Sequence, residues 1–249
     1  MTKKNREAAE RIRAMQAEQA RAERRRRSVV VASVVIVLIA AVVGIGIAVQ
    51  SNRNSAVTSS SSAAPPGANA NFGIYRGGPA PVTVTVYEDF QCPFCREFEQ
   101  QLGPTLLSDI DKGEIRVEYR PIAFLDNAST TNYSSRALET AACTLAHGGV
   151  TAFAKLHDLL FQNQPEEGSA GLSDSQLADL AQQAGADKAA VSDCQAKGTY
   201  DAWAAKATDQ SSKDGVNSTP TYLVNGKKVT FVQNQSPVTT LTDLIKAAQ

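Results

Sequence analysis

Val82-Thr83-Val84-Thr85-Val86-Tyr87-Glu88-Asp89-Phe90-Gln91-Cys92-Pro93-Phe94-Cys95 runs a β-branched stretch straight into two cysteines separated by two residues. The stretch reads as a largely buried strand that ends at Glu88-Asp89. Beyond the cysteines, residues 97–110 carry Phe98, Leu102, Leu106, Leu107 and Ile110 at helical spacing, with Gly103-Pro104 expected to kink the helix. Residues 114–119, with Ile115 and Val117 on one face, read as a second strand, parallel to the first. The Cys-x-x-Cys therefore opens a helix, where free backbone N–H groups and the positive end of the dipole favour thiolate at Cys92. Pro93 suits the first turn, where its missing N–H would have had no partner. Cys95, one turn deeper, can reach Cys92 but is shielded from large substrates. The expected division of labour is exchange at Cys92 and resolution of the mixed disulfide by Cys95.

Two blander readings of the pair are a zinc knuckle and a static disulfide. Zinc needs two further ligands at ordered spacing, and Cys143 and Cys194 stand 51 residues apart with no second Cys-x-x-Cys. A static disulfide rarely closes so small a loop at a helix start.

The chain continues as helices. Residues 131–147 are Ala-rich and stop at Gly148-Gly149, and residues 150–162 carry Phe153, Leu156, Leu159 and Leu160. Ser173 and Gln176 form a capping box for a helix reaching Gly185, and shorter helices follow over 188–196 and 200–212. Strand signals return at Thr221-Tyr222-Leu223-Val224 and at 228–232, joined by Asn225-Gly226 as a hairpin, before a last amphipathic helix from Ser236-Pro237 through Val238, Leu241, Leu244 and Ile245. The order is that of an α/β domain: strand, helix, strand, helical insertion over about 126–213, hairpin, helix.

The N-terminal third has another character. Residues 1–27 hold ten Lys/Arg and four Glu, so this tail is +6 and the rest of the neutral chain is −6, which leaves the bulk without a nucleic-acid footprint. Residues 28–49 hold no charge and are long enough to cross the ~30 Å hydrocarbon layer as one helix, the competing readings being a buried core helix and a cleaved signal peptide. Arg24–Arg27 beside its start orient it with the tail in the cytoplasm and everything from Gln50 outside. The tail can lie on anionic lipid or act as a topology signal alone. Residues 50–78, rich in Ser, Ala, Asn, Gly and Pro, read as a flexible tether, and 79–249 as the folded domain. All four cysteines fall on the outer side, where disulfides persist, and Cys143 with Cys194 reads as a structural staple, a second redox pair being the alternative. His147 and His157 have no spacing partner for a metal and read as surface or capping groups. No cofactor or metal is expected.

Glu88-Asp89-Phe90-Gln91-Cys92-Pro93-Phe94-Cys95, taken with Gly215-Val216-Asn217-Ser218-Thr219-Pro220-Thr221-Tyr222-Leu223-Val224-Asn225-Gly226, resembles the DsbA-like branch of the thioredoxin superfamily, over Pro81 to Gln249. The resemblance implies a thioredoxin fold with a helical insertion, exported and acting on protein thiols. It also implies that Thr219-Pro220 is a cis-proline loop facing the cysteines, with the Thr219 backbone pairing to an extended substrate; read alone, Thr-Pro is an ordinary turn or a strand's first residue. Phe94 stands where a thiolate-stabilising His often lies in that branch. Asp89, three residues before Cys92, reads either as a proton acceptor tuning the thiol or as a loop carboxylate. The implied clients are reduced or misfolded exported proteins. The implied oxidant is a quinone-linked membrane partner of the DsbB or vitamin K epoxide reductase-like kind. Three functions follow as expectations: an oxidase, an isomerase or reductase, and a non-enzymatic client-binding module.

Overall fold

The computed structural model describes residues 63–249. The basic tail 1–27, the expected span 28–49 and the tether as far as residue 62 lie outside the described residues. Among the described residues no helix is long and apolar enough to cross a membrane.

The valine run forms the central strand β2 (Val82–Glu88), parallel to β3 (Ile115–Pro121) with Val84 opposite Val117. On its other side β4 (Thr221–Val224) runs antiparallel with Val86 opposite Tyr222. A short strand β1 (Ile74–Arg76) caps β3, and β5 (Lys227–Lys228) caps β4, giving the order β1-β3-β2-β4-β5. The period of two decides the faces. Val82, Val84 and Val86 enter the main core with Ile115, Val117 and Tyr119, against Leu102 and Leu106 of helix α1 (Pro93–Asp111) and Leu241 and Ile245 of α6 (Pro237–Ala248). Tyr87, one residue out of phase, packs with Ile122 and Val216 in a second, smaller cluster.

The insertion comprises a 3-10 turn (Asp126–Ala128) and helices α2 (Tyr133–Gln162), α3 (Asp174–Ala184), α4 (Lys188–Ala196) and α5 (Asp201–Lys213). α2 lies against α1 and β1, and α5 against β3. The Ser173–Gln176 capping box starts α3 as the sequence indicates.

The folded part differs from the sequence-based expectation at its start and at its last strand. The folded part begins inside the expected tether: Ile74–Arg76 pairs with Val117–Tyr119, and Phe72 packs its ring 5.9 Å from that of Trp203 in α5. As expected, α1 is one helix through Pro104, where the carbonyl deprived of an N–H belongs to exposed Gln100 and water can serve it. As the sequence indicates, the helical run breaks at Gly149, at φ 73°, a backbone setting that favours glycine, and the two abutting helices together make up α2. The last strand is two residues long instead of spanning 228–232. Beyond it Phe231 turns inward, 4.9 Å from the Phe98 ring and 5.6 Å from Tyr222, so aromatic packing replaces the ladder.

Candidate active site

β2 delivers Cys92 to the N-cap of α1 in extended conformation (φ −75°, ψ 117°), with Pro93 as the first helical residue. The preceding turn closes when the Cys92 N–H donates to the Asp89 carbonyl at 2.9 Å. Both cysteines are free thiols, with Cys92 5% and Cys95 1% exposed. The Thr219–Pro220 peptide bond is cis, and the Cys92 thiol donates to the Thr219 carbonyl at 3.5 Å. Residues 127 apart in sequence thus meet at one sulfur. Phe94, between the cysteines, is 65% exposed.

The two thiols differ electrostatically. A hydrogen bond from the Cys95 thiol lowers the pKa of Cys92 to about 6 against the opposing effect of burial, helped by the Thr219 hydroxyl and by the backbone N–H groups of Cys95 and Phe94. Burial pushes the Cys95 thiol well above its ordinary range, and its bond to Cys92 and the Cys92 charge push the same way. One sulfur is poised as thiolate and leaving group; the other holds its proton.

Asp89 is fully buried and accepts three bonds, from the Gln91 N–H (2.8 Å), the Leu125 N–H (2.9 Å) and the Ser134 hydroxyl (2.6 Å). It ties the cysteine loop to the segment after β3 and to the start of α2, the geometry of a loop carboxylate. Burial raises its pKa to about 6, with those same donors opposing.

Beneath the loop lies a cluster the sequence reading did not assign. His157, read there as a surface or capping group, is completely buried in α2, where its partner is 69 residues away on β2. Its Nε2 is 2.6 Å from Glu88 Oε1 and its Nδ1 3.2 Å from Asp158 Oδ1. Burial opposes its charge, yet Glu88, Asp158 and Glu99 outweigh that and raise its pKa to about 10. Glu88, Glu99 and His157 bring their ligand atoms within 4.8 Å of one another. With carboxylates facing both ring nitrogens, His157 is placed as the cation of this group. The Tyr222 hydroxyl donates to Glu99 at 3.3 Å. Gln164, just past α2, was also missed: its Nε2 donates to the carbonyls of Phe90 (3.1 Å) and Cys92 (2.9 Å). No local sequence signal marks either residue.

Away from the site, Cys143 of α2 and Cys194 of α4 are joined by a disulfide with Cα atoms 5.9 Å apart.

A thioredoxin family model matches residues 73–247. The serine/threonine-protein kinase PknE of Mycobacterium tuberculosis is 30% identical over 173 residues, 67% of this chain and 31% of that protein, so the chain spans about a third of that relative's length. Disulfide bond formation protein D of Bacillus subtilis is 28% identical over 152 residues, 60% of this chain and 66% of that protein. Among solved structures, the reduced form of the disulfide bond oxidoreductase DsbG from Mycobacterium tuberculosis superposes with a TM-score of 0.59 at 32% identity, covering 73% of this chain and 85% of that one.

Proposed function

The chain belongs to the thioredoxin family, among thiol–disulfide oxidoreductases of DsbA type, and on that premise we propose that it is an extracytoplasmic oxidase that passes the Cys92–Cys95 disulfide to exported proteins. The observation that carries this reading is the asymmetry of the pair: Cys92 meets the Thr219 carbonyl with its pKa lowered to about 6, while Cys95, one turn deeper, is held as a thiol.

A client thiolate attacks Cys92 Sγ of the oxidised pair. The Cys92–Cys95 bond breaks, and Cys95 leaves with the bonding electrons and takes up a proton. A second client thiolate then attacks the client sulfur of the mixed disulfide, and Cys92 departs as the acidic thiolate. Two electrons pass from two client thiols to the two cysteines, and the second step is aided by a stable leaving group, the Cys92 thiolate. Exposed Phe94 and the Thr219 backbone suit an extended, partly apolar client strand. Reoxidation falls to a quinone-linked membrane protein of the DsbB or vitamin K epoxide reductase-like kind. Residues 28–49 anchor the chain with the domain outside the cell membrane, a reading supported by their length, their lack of charge and the Arg24–Arg27 cluster.

The test is oxidation of a reduced dithiol peptide by the purified protein, one disulfide per oxidised chain, lost in Cys92→Ala. Faster recovery of scrambled than of reduced ribonuclease would assign it instead to isomerisation. Full biological activity of Cys92→Ala would assign it to client binding alone.

A further inference from the structure

We infer that Gln164 is a positioning residue through which the helical insertion sets the acidity of Cys92, an inference that rests on Cys92 being the exchanging sulfur. Gln164 is 8% exposed and sits two residues beyond the end of α2. Its Nε2 reaches two carbonyl oxygens of the cysteine loop at once, Phe90 O at 3.1 Å and Cys92 O at 2.9 Å. Both partners are acceptors only, so they dictate which end of the amide faces them. The same stretch of chain grips the loop a second way: the rings of Phe161 and His157 lie 5.4 and 6.0 Å from that of Phe90.

Two effects on the Cys92 sulfur follow. Cys92 O is the first acceptor of α1, taking the Arg96 N–H at 3.3 Å, so holding this carbonyl holds the turn whose Phe94 and Cys95 N–H groups stabilise the thiolate. The two carbonyls also belong to the cysteine loop itself, and the amide N–H groups offset their negative partial charge in buried surroundings. Without the donors, Phe90 O loses its hydrogen bond and Cys92 O loses the partner that fixes the first turn of α1. The insertion therefore acts on the chemistry as well as covering it.

The experiment uses the full chain, reduced and held in non-ionic detergent, with the pH dependence of iodoacetamide alkylation at Cys92 followed by peptide mass. Gln164→Met keeps the volume and removes both donors; Gln164→Leu, which also lacks them and carries no charge, serves where Gln164→Met does not fold. The Cys92 midpoint is expected to rise by about one pH unit, a tenfold loss of thiolate below it and the worth of about one hydrogen bond. An acidic wild-type midpoint that the variant leaves unmoved would overturn this inference alone. A wild-type Cys92 that titrates near 8.5, the ordinary value for about any free thiol, would overturn the inference together with the reading beneath it.

Discussion

His157 Nε2 lies 2.6 Å from Glu88 Oε1, an ion pair between α2 and the end of β2 that is sealed from solvent on both sides. Its charge state ties the stability of the fold to pH. The His157 pKa is raised from 6.5 to about 10 in the folded chain, so its contribution is complete below the unfolded value and is lost as pH rises from 6.5 towards 10. Denaturant unfolding of the oxidised protein, in which Cys92 and Cys95 do not titrate, should show stability falling across that range, and His157→Gln should flatten the fall while lowering stability at pH 6. Unchanged wild-type stability between pH 6.5 and 10 would mean that this histidine is neutral. Glu139, raised by burial to about 8, adds a loss at lower pH, between 4.5 and 8, which the substitution leaves in place.

The difference between the two thiols should be visible in trapping. Cys95→Ser, mixed with oxidised client protein, should accumulate a disulfide between Cys92 and the client on a non-reducing gel, because the resolving sulfur is gone. Cys92→Ser should accumulate none, since Cys95 is 1% exposed. Equal trapping by both variants would remove the assigned division of labour.

The Cys143–Cys194 bond closes a loop with a sequence separation of 51, worth about 4 kcal/mol by loop-closure entropy before native strain is subtracted. Cys143→Ala with Cys194→Ala should therefore lower unfolding stability by about 2–4 kcal/mol and leave dithiol-peptide oxidation below the new midpoint intact. Loss of oxidation in a folded double variant would show the pair to be part of the electron path.

Phe94 is 65% exposed on the first turn of α1, so truncation costs the fold little. Phe94→Ala should change stability by no more than about 0.5 kcal/mol yet raise KM for an unfolded-protein client about tenfold, as expected if its ring is covered in the complex. An unchanged KM would place client contact elsewhere.

The centre of the fold was legible where local chemistry and tertiary role agree. Val82–Glu88 reads as a strand and is one. Asn225 and Gly226, at φ 45° and 78°, make the two-residue turn their identities demand. Three-residue β1 has no period to read, and its pairing depends on β3, some 40 residues on. Val229 to Val232 has strand composition, but Phe231 gains more from the rings of Phe98 and Tyr222 than from a ladder at the sheet edge. In the site, Cys92 and Cys95 could be read because the helix start and the motif stand in the chain itself, and Thr219-Pro220 through the family resemblance, since alone it is an ordinary turn. His157 and Gln164 could not, because each is an ordinary polar residue near a helix end whose partners lie 69 and 72–74 positions away.

The most direct measurement is the equilibrium of the Cys92–Cys95 pair with a glutathione redox buffer at pH 7, read by mass after acid quenching. A thiolate favoured at Cys92 stabilises the reduced form, so the account predicts a potential more oxidising than about −200 mV. A value close to that of thioredoxin, about −270 mV, would contradict it and make the chain a reductase.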